Sequence, residues 1–258
     1  MIDTHNHLLA GLDDGARDTS EMLEMCRVAS ADGIERIVAT PHSLDGRHIN
    51  EPASIRESVL DLNERLEAAG LGLHVDPGME VRVSPELIDS LDNGMILPLN
   101  DGNYVLLELH PFHFPAGFEN LVRRFLDRGL RIILAHPEKN FAIQRHPELL
   151  FKLINLFEPW ELLIQVTAAS ILRGNGFLVS RLTRLLVKSN LAHLIATDAH
   201  DPTSRPPTLS KAVEVVAKLT GEQKAAHMTR DIPQAVLNGK EFPEIWEPVN
   251  PYKWWRIF

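Results

Sequence analysis

The chain has 258 residues, of which 44% are hydrophobic, 24% charged and 6% aromatic, a balance that excludes disordered, collagen-like and coiled-coil proteins. Its 26 Lys and Arg face 35 Asp and Glu, giving a net charge of -9, so it lacks the basic surface that general nucleic-acid binding requires. The single cysteine, Cys26, excludes an intramolecular disulfide framework and cysteine-rich zinc modules. No stretch reaches the ~18 apolar residues of a membrane span, and the first residues lack a signal-peptide pattern. We therefore expect a cytoplasmic protein.

Short apolar runs alternate with amphipathic helical patterns along the chain. Runs rich in β-branched residues predict seven strands, at 1–5, 34–40, 73–78, 104–109, 131–135, 162–166 and 193–197. Helical spacing of apolar residues predicts helices at 19–31, 51–69, 85–91, 118–127, 147–157, 179–188 and 204–219. Thr19 or Ser20 is the expected N-cap of the first helix. Such alternation is typical of parallel sheets built from βαβ units.

The boundaries of the fold follow from the same pattern. No composition shift or low-complexity linker divides the chain, so we expect one domain over residues 1–258. Residues from about 220 to 258 are expected to form closing helices and a tail, with Thr220 as a cap of the segment 221–228 and Gly239 as a helix end. The tail, residues 252–258, contains Trp254 and Trp255. We expect it to dock on the domain itself, or else to contact a partner or a membrane surface.

Potential metal ligands stand at the ends of nearly all predicted strands. They are His5, His7, His42, Glu80, Glu108, His136, Asp198 and His200. An open doubly wound sheet would spread these side chains apart, whereas a barrel brings the carboxyl ends of all its strands to one face. The placement therefore predicts an α/β barrel with a metal centre at the C-terminal ends of the strands.

The spacing of these residues favours chelation. His5 and His7 are two residues apart, which places both imidazoles on one face of an extended chain. Asp198 and His200 repeat that spacing with a carboxylate and an imidazole. Nitrogen and hard oxygen ligands without thiolate suit Mn, Fe or Zn.

Five segments carry a resemblance to a known superfamily. They are the opening MIDTHNHLLAGLDDGA, the ATPH that ends at His42, the PGMEV around Glu80, the LAHPE around His136 and the ATDAH that ends at His200. In order and content they resemble the polymerase-and-histidinol-phosphatase (PHP) superfamily, and most closely its bacterial manganese-dependent tyrosine-protein phosphatases encoded with capsule and exopolysaccharide genes. The resemblance runs from residue 1 to about residue 207. It implies a distorted (β/α)7 TIM-like barrel.

The resemblance also implies three divalent metal ions, with Mn favoured and Fe or Zn left open. The first would be bound by His5, His7, Glu80 and Asp198; the second by Glu80 as a bridge with Glu108 and His136; and the third by Asp14, His42 and His200. Two ions that share one carboxylate at about 3.5–4 Å can clamp the attacking and leaving oxygens of phosphoryl chemistry. Metal-bound hydroxide is then the expected nucleophile, attacking phosphorus in line.

Three further residues are expected to handle the substrate. Four ligand carboxylates contribute about −4 and three divalent ions about +6, which leaves a site that attracts a phosphate dianion. The resemblance supports Arg205 as a residue whose guanidinium group binds two phosphate oxygens at once. Lys139 stands where the resembled phosphatases usually have arginine, so it supplies a point charge instead of a planar fork. His110, in a Pro-containing loop after Glu108, is expected to orient a ligand or to protonate the leaving group.

The sequence thus predicts a metal-dependent phosphoric-monoester hydrolase acting on phosphotyrosine in a protein, which the resemblance suggests is a bacterial tyrosine kinase of polysaccharide export. Three alternatives stay open: a small-molecule phosphatase such as a histidinol phosphatase, a metal-dependent exonuclease, and a non-catalytic metal-binding module. The acidic charge balance disfavours the exonuclease, and complete ligands disfavour the non-catalytic module. The formation of a homo-oligomer also stays open.

Overall fold

The computed structural model describes residues 1–239 and 245–250. In these residues the β-strands are β1 (Ile2–Asn6), β2 (Arg36–Ala39), β3 (His42–Ser43), β4 (His74–Pro77), β5 (Glu80–Arg82), β6 (Tyr104–Glu108), β7 (Arg131–Ala135), β8 (Leu162–Thr167) and β9 (Leu194–Ala196). The α-helices are α1 (Thr19–Ala31), α2 (Pro52–Ala68), α3 (Leu87–Asp92), α4 (Phe118–Leu126), α5 (Phe141–Arg145), α6 (Glu148–Ile154), α7 (Ala168–Ile171), α8 (Phe177–Lys188), α9 (Ser210–Thr220), α10 (Glu222–Ala226) and α11 (Ile232–Asn238). No helix in the described part of the chain is long and apolar enough to cross a membrane.

All strand pairs are parallel, and they form two sheets with the orders β1-β2-β4 and β3-β5-β6-β7-β8-β9. This confirms the predicted α/β class with parallel sheets. The seven predicted strands all occur, but β3 and β5 were not predicted. Each follows an interruption, at Thr40-Pro41 after β2 and at Gly78-Met79 after β4. Pro41 cannot donate to the ladder, so after β2 the chain leaves one sheet and pairs anew in the other.

The two sheets meet where β1 and β9 end. The amide of His7 donates to the carbonyl of Ala199 at 2.9 Å, and the amide of Asp198 donates to the carbonyl of His5 at 2.9 Å. An isolated parallel bridge joins Asn6 to Ala199. The carboxyl ends of β1 and β9, with the side chains that follow them, are therefore fixed side by side.

Alternate strand residues contribute to two apolar clusters, as the two-residue period of a strand requires. In β6, Val105 and Leu107 join the larger cluster with most of the helices. Tyr104 and Leu106 join a smaller cluster with residues of β1, β2, β7, β8, β9 and α11. Both faces of the sheets are consequently buried, which explains the nearly uninterrupted apolar character of the strand sequences.

The predicted N-cap of α1 is wrong, although its bounds are as predicted, and the predicted start of α9 is wrong. The N-cap of α1 is Asp18, whose carboxylate accepts from the amide of Glu21 at 3.0 Å, and Thr19 and Ser20 lie inside the helix. Helix α9 begins at Ser210 instead of residue 204, because Asp201 accepts from the amides of the following loop and keeps it in a turn.

At the C-terminal side, Thr220 ends α9 instead of capping the next helix, and Gly221 takes the cap position of α10. Gly239 adopts a left-handed conformation, with φ 64°, and ends α11 as predicted. The short helices α5 and α7 were not predicted. The tail, residues 252–258 with Trp254 and Trp255, lies outside the described residues.

Candidate metal centre

The structure brings all nine predicted metal ligands to the carboxyl ends of the strands. Their side chains form four overlapping groups with ligand atoms within 4.8 Å of one another: His7, Asp14, His42 and His200; His5, His7 and Glu80; His5, His136 and Asp198; and His42, Glu80 and Glu108. These groups share several members, so they form one continuous cluster of nitrogen and oxygen ligands.

Two imidazoles at the centre of the cluster turn their Nε2 atoms to the same point. The Nε2 atoms of His5 and His7 lie 3.1 Å apart. The Nδ1 atom of His5 is 2.8 Å from the Oε1 atom of Gln165, and the Nδ1 atom of His7 is 2.6 Å from the Oδ2 atom of Asp13. Because these oxygen acceptors assign the ring protons to Nδ1, both Nε2 lone pairs are free to coordinate.

Glu80 lies between the histidines of several strands. Its Oε2 atom is 3.2 Å from the Nε2 atom of His5 and 3.4 Å from that of His7, and its Oε1 atom is 2.9 Å from the Nε2 atom of His136. Both carboxylate oxygens thus face imidazole nitrogens on different sides. This is the arrangement expected of a carboxylate that bridges two metal ions.

His42 and Glu80 are Cα partners in the register of β3 with β5. The Nδ1 atom of His42 lies 2.9 Å from the Oε2 atom of Glu80. Both atoms are buried, yet neither has a hydrogen-bond partner among the described residues. Buried polar atoms normally have partners, so bound ions that supply these missing partners fit the site. The donor set, imidazole nitrogen and carboxylate oxygen, suits Mn, Fe or Zn.

The outer part of the cluster is open to solvent. The Oδ1 atom of Asp14 is 3.3 Å from the Nε2 atom of His200 and 3.7 Å from that of His42. The side chain of Asp14 is 61% exposed, whereas that of Glu80 is fully buried. An ion in this outer group would exchange with solvent more readily than one bound near Glu80.

Asp198 connects the ligand cluster to two cationic side chains. Its Oδ1 atom lies 3.6 Å and 3.4 Å from the Nε2 atoms of His5 and His7. Its Oδ2 atom accepts from Arg205 Nη2 at 2.9 Å and pairs with the ammonium group of Lys139. The two predicted phosphate-binding side chains therefore converge on one ligand carboxylate.

A cavity of about 180 Å³ adjoins the cluster, and Lys139 and Arg205 both line it. Six of the predicted ligands also line it, namely Asp14, His42, Glu108, His136, Asp198 and His200. An anion that enters the cavity meets two cationic side chains on one side and the ligand cluster on the other.

The electrostatics keep the central carboxylates ionised. Burial alone would raise the pKa of Asp198, but the charge of Lys139, the first of several neighbouring groups that favour the ionised form, helps to hold this pKa well below its usual range. Burial also opposes ionisation of Glu80, but the surrounding imidazoles lower its pKa well below the usual range. The pKa of Glu108 is raised, first by burial and then by the charge of Glu80.

Two of the predicted ligands have left-handed backbone conformations just after the end of a strand. His136 has φ 31° after β7, and Asp198 has φ 52° after β9. This conformation costs free energy in residues other than glycine and tends to persist at functional sites. Gly15 meets a different constraint: a Cβ there would lie 1.9 Å from the carbonyl oxygen of His7. Only glycine allows the loop after β1 to pass this ligand.

His110 does not join the cluster. It is exposed and does not line the cavity, and its Nδ1 atom is 3.3 Å from the amide of Phe112. Its ring stacks on that of His113, with centroids 5.0 Å apart. The structure therefore places His110 on the outer rim, away from the ligands that it was expected to assist.

Three positioning residues escaped sequence analysis. Asp13 holds His7, Gln165 holds His5, and Arg82 Nη2 contacts Glu108 Oε2 at 2.6 Å. Asp13 adjoins the ligand Asp14, and Gln165 is a lone amide within an apolar strand. Both positions could have been found from the sequence. Asp13 stands next to a predicted ligand, and a buried amide in a strand, such as that of Gln165, requires a specific partner.

Comparison with known proteins identifies the family. Residues 1–238 match the family described as capsular polysaccharide synthesis, CpsB/CapC. The chain belongs to the CpsB/CapC family. This confirms the resemblance drawn from the sequence motifs.

Relatives in the CpsB/CapC family carry enzyme names. The chain is 34% identical over 258 residues to the tyrosine-protein phosphatase YwqE of Bacillus subtilis, covering 100% of both chains. It is 24% identical over 242 residues to the tyrosine-protein phosphatase CpsB of Streptococcus pneumoniae, covering 92% and 98% of the two chains.

Solved structures agree with the CpsB/CapC assignment. One solved structure comes from work on YwqE and CpsB, which are described there as unique metal-dependent tyrosine phosphatases. It matches this chain with a TM-score of 0.89 and 34% identity, and the match covers 96% of this chain and 99% of the other. A histidinol phosphate phosphatase from Lactococcus lactis subsp. lactis Il1403 matches with a TM-score of 0.53 at 15% identity, covering 85% and 93%. That second likeness concerns the fold alone.

Proposed function

We propose that this protein is a metal-dependent protein-tyrosine phosphatase that regulates polysaccharide export. The observation that carries the proposal is the ligand cluster with two cationic side chains converging on Asp198 beside one cavity. The names of its full-length relatives support phosphotyrosine as the substrate. Its protein substrate is proposed to be a bacterial tyrosine kinase.

The nine ligands divide into three metal sites. As the family resemblance implies, His5, His7, Glu80 and Asp198 would hold one ion; Glu80, Glu108 and His136 a second; and Asp14, His42 and His200 a third. All nine belong to the overlapping groups of neighbouring ligand atoms, although those groups divide them differently. Bound divalent ions, Mn in this proposal, supply an acidified water as nucleophile and neutralise phosphate charge. The chain's own residues do the rest: Arg205 and Lys139 turn from Asp198 to the phosphate oxygens and hold the ester in line for attack.

We also propose that the two sheets form one distorted (β/α)7 barrel, in which β2 with β3 and β4 with β5 each count as one interrupted strand. The hydrogen bonds between the ends of β1 and β9 support this arrangement. So does the smaller apolar cluster, which collects residues from strands of both sheets and from α11. In such a barrel the metal sites lie at the usual functional face.

The deciding experiment measures phosphate release by metal-stripped protein with and without added Mn²⁺. The substrates are a phosphotyrosine peptide and histidinol phosphate in parallel assays. We expect turnover only after Mn²⁺ is added, and faster turnover of the peptide. Preference for histidinol phosphate would instead assign the protein to small-molecule metabolism, and undiminished activity of the stripped protein would refute the metal mechanism.

Variants of the ligands test the three sites. His136→Ala and Asp198→Asn are each expected to reduce kcat/KM by more than about 100-fold, since each removes an interaction with the ions that act on the reacting phosphate. His146→Ala is the matched control, because His146 is 63% exposed and pairs with Glu148 outside the cluster. If both ligand variants stay within a few-fold of the parent, the three-metal assignment is wrong.

A further inference from the structure

Two stacked phenylalanines are exposed beside the cavity. Phe112 is 62% exposed and Phe141 is 47% exposed. Their ring centroids lie 5.1 Å apart and their planes differ by only 3°. Single exposed apolar side chains are ordinary, but an adjacent pair that keeps two large rings in water is a feature of binding sites.

The pair belongs to the rim of the cavity. Phe112 directly follows Pro111 and Phe141 directly follows Asn140, and both preceding residues line the cavity. The amide of Phe141 donates to the carbonyl of Pro111 at 2.8 Å, which joins the two segments. Lys139, which faces Asp198 inside the cavity, lies two residues before Phe141. The rings therefore stand at the edge of the cavity.

The segments that carry the rings are held in place. The side-chain amide of Asn140 donates to the carbonyls of His110 and His113, each at 2.9 Å. Its oxygen accepts from the amide of Ile143 and caps α5. The amide of Phe112 donates to the ring of His110. A platform fixed in this way loses little conformational entropy when a ligand stacks on it.

We propose that Phe112 and Phe141 form an aromatic platform that receives the phenyl ring of phosphotyrosine while its phosphate occupies the cavity. This inference rests on the proposed phosphatase function. In phosphotyrosine the ring is attached directly to the ester oxygen, so a phosphate held by Arg205 and Lys139 directs the ring toward the rim. In phosphoserine a single methylene joins the ester oxygen to Cα, so there is no ring to stack on the platform. The platform thus selects aryl over alkyl phosphates.

The test measures binding of two anions that the enzyme does not hydrolyse, phenylphosphonate and methylphosphonate, to Mn²⁺-loaded protein by isothermal titration calorimetry. The parent is expected to bind phenylphosphonate about 10-fold more tightly, in keeping with the strength of aromatic pairs. In the double variant Phe112→Ala with Phe141→Ala, this ratio should fall to about 2, with methylphosphonate affinity unchanged. Phe112→Tyr should retain the parent's ratio.

Phe177→Ala is the control, since Phe177 is 66% exposed but, unlike Phe112 and Phe141, does not adjoin in sequence a residue that lines the cavity. If the ratio of phenylphosphonate to methylphosphonate affinity were the same in the parent and in the double variant, the platform would be refuted. Because this experiment measures binding and not hydrolysis, its result does not depend on whether the protein is a phosphatase. A protein that prefers phenylphosphonate but hydrolyses no phosphotyrosine peptide would keep the platform and lose the phosphatase proposal.

Discussion

Replacing Asp13 by asparagine should weaken metal binding although Asp13 is not itself a predicted ligand. Its Oδ2 atom accepts both from the Nδ1 atom of His7, at 2.6 Å, and from the amide of His42, at 2.8 Å. Its Oδ1 atom accepts from the amide of Gly15 at 2.9 Å. Every one of these contacts needs an oxygen acceptor. In either orientation, the side-chain amide introduced by D13N would turn an NH₂ toward at least one donor.

The size of the effect follows from what Asp13 fixes. It orients the imidazole of His7 and holds the backbone beside His42, so the variant disturbs two ligands at once. Loss of one such supporting partner typically costs about 10- to 100-fold in metal affinity, which equals about 1.4–2.7 kcal/mol. We expect D13N to lie in this range for Mn²⁺.

Asp45→Asn is the matched control. Asp45 accepts from the amides of Arg47 and His48, at 2.8 Å and 2.7 Å, and lies 3.0 Å from the ring of His48. It is therefore a loop carboxylate with the same three kinds of contact, but its imidazole is not a predicted ligand. Both variants should lose stability, and only D13N should lose metal affinity.

Isothermal titration of the metal-stripped proteins with Mn²⁺ measures the difference. The stability of each apo protein in urea separates a general loss of folding from a local loss of binding. The reasoning would be refuted if D13N bound Mn²⁺ within twofold of the parent, or if D45N lost as much affinity as D13N.

Three further predictions concern single residues. Burial lowers the pKa of His193 to about 4, so below pH ~6.5 the unfolded chain binds more protons than the folded chain. The free energy of unfolding should therefore fall by up to about 3 kcal/mol between pH ~6.5 and pH ~4. His193→Asn, which keeps an acceptor for the amide of Ile164, should lack this part of the fall in urea unfolding at several pH values; an identical pH dependence contradicts the assignment. Gly15→Ala should abolish tight Mn²⁺ binding because its Cβ would collide with His7, whereas Gly72→Ala, with nothing within 4 Å, should bind normally; calorimetry decides. Lys139→Arg should bind inorganic phosphate a few-fold more tightly, because a guanidinium fork meets two oxygens; weaker competitive inhibition by phosphate would count against Lys139 as a phosphate ligand.

The sequence predicted the alternation of strands and helices because each long element carries its own apolar period. It missed β3 and β5, which have two and three residues, too few for a period to show. Their existence depends on pairing with each other and on the interruption at Pro41, which only the assembled sheets reveal. The N-cap of α1 could not be predicted either, because Asp18, Thr19 and Ser20 are all residue types that cap helices well.

The ligand side chains could be predicted because each follows a strand, and parallel strands end at one edge. The partners of two supporting residues, Gln165 and Arg82, could not be predicted, since their contacts span long stretches of sequence. Gln165 reaches His5 across 160 residues, and Arg82 reaches Glu108 from the neighbouring strand. His110 also follows a predicted ligand strand, but its ring is exposed and stacks on that of His113, and its role in the chemistry stays a prediction.

The two oxygens of Asp198 make metal and anion affinities interdependent. One oxygen faces His5 and His7, and the other holds Lys139 and Arg205. A cation bound at the first oxygen would weaken the attraction of the second for both positive side chains, which would then be free to bind an incoming anion. Thermodynamic reciprocity then requires that the anion tighten the cation by the same factor. Product phosphate would therefore retain the metals after turnover, and the empty enzyme would be the form most easily stripped by a chelator.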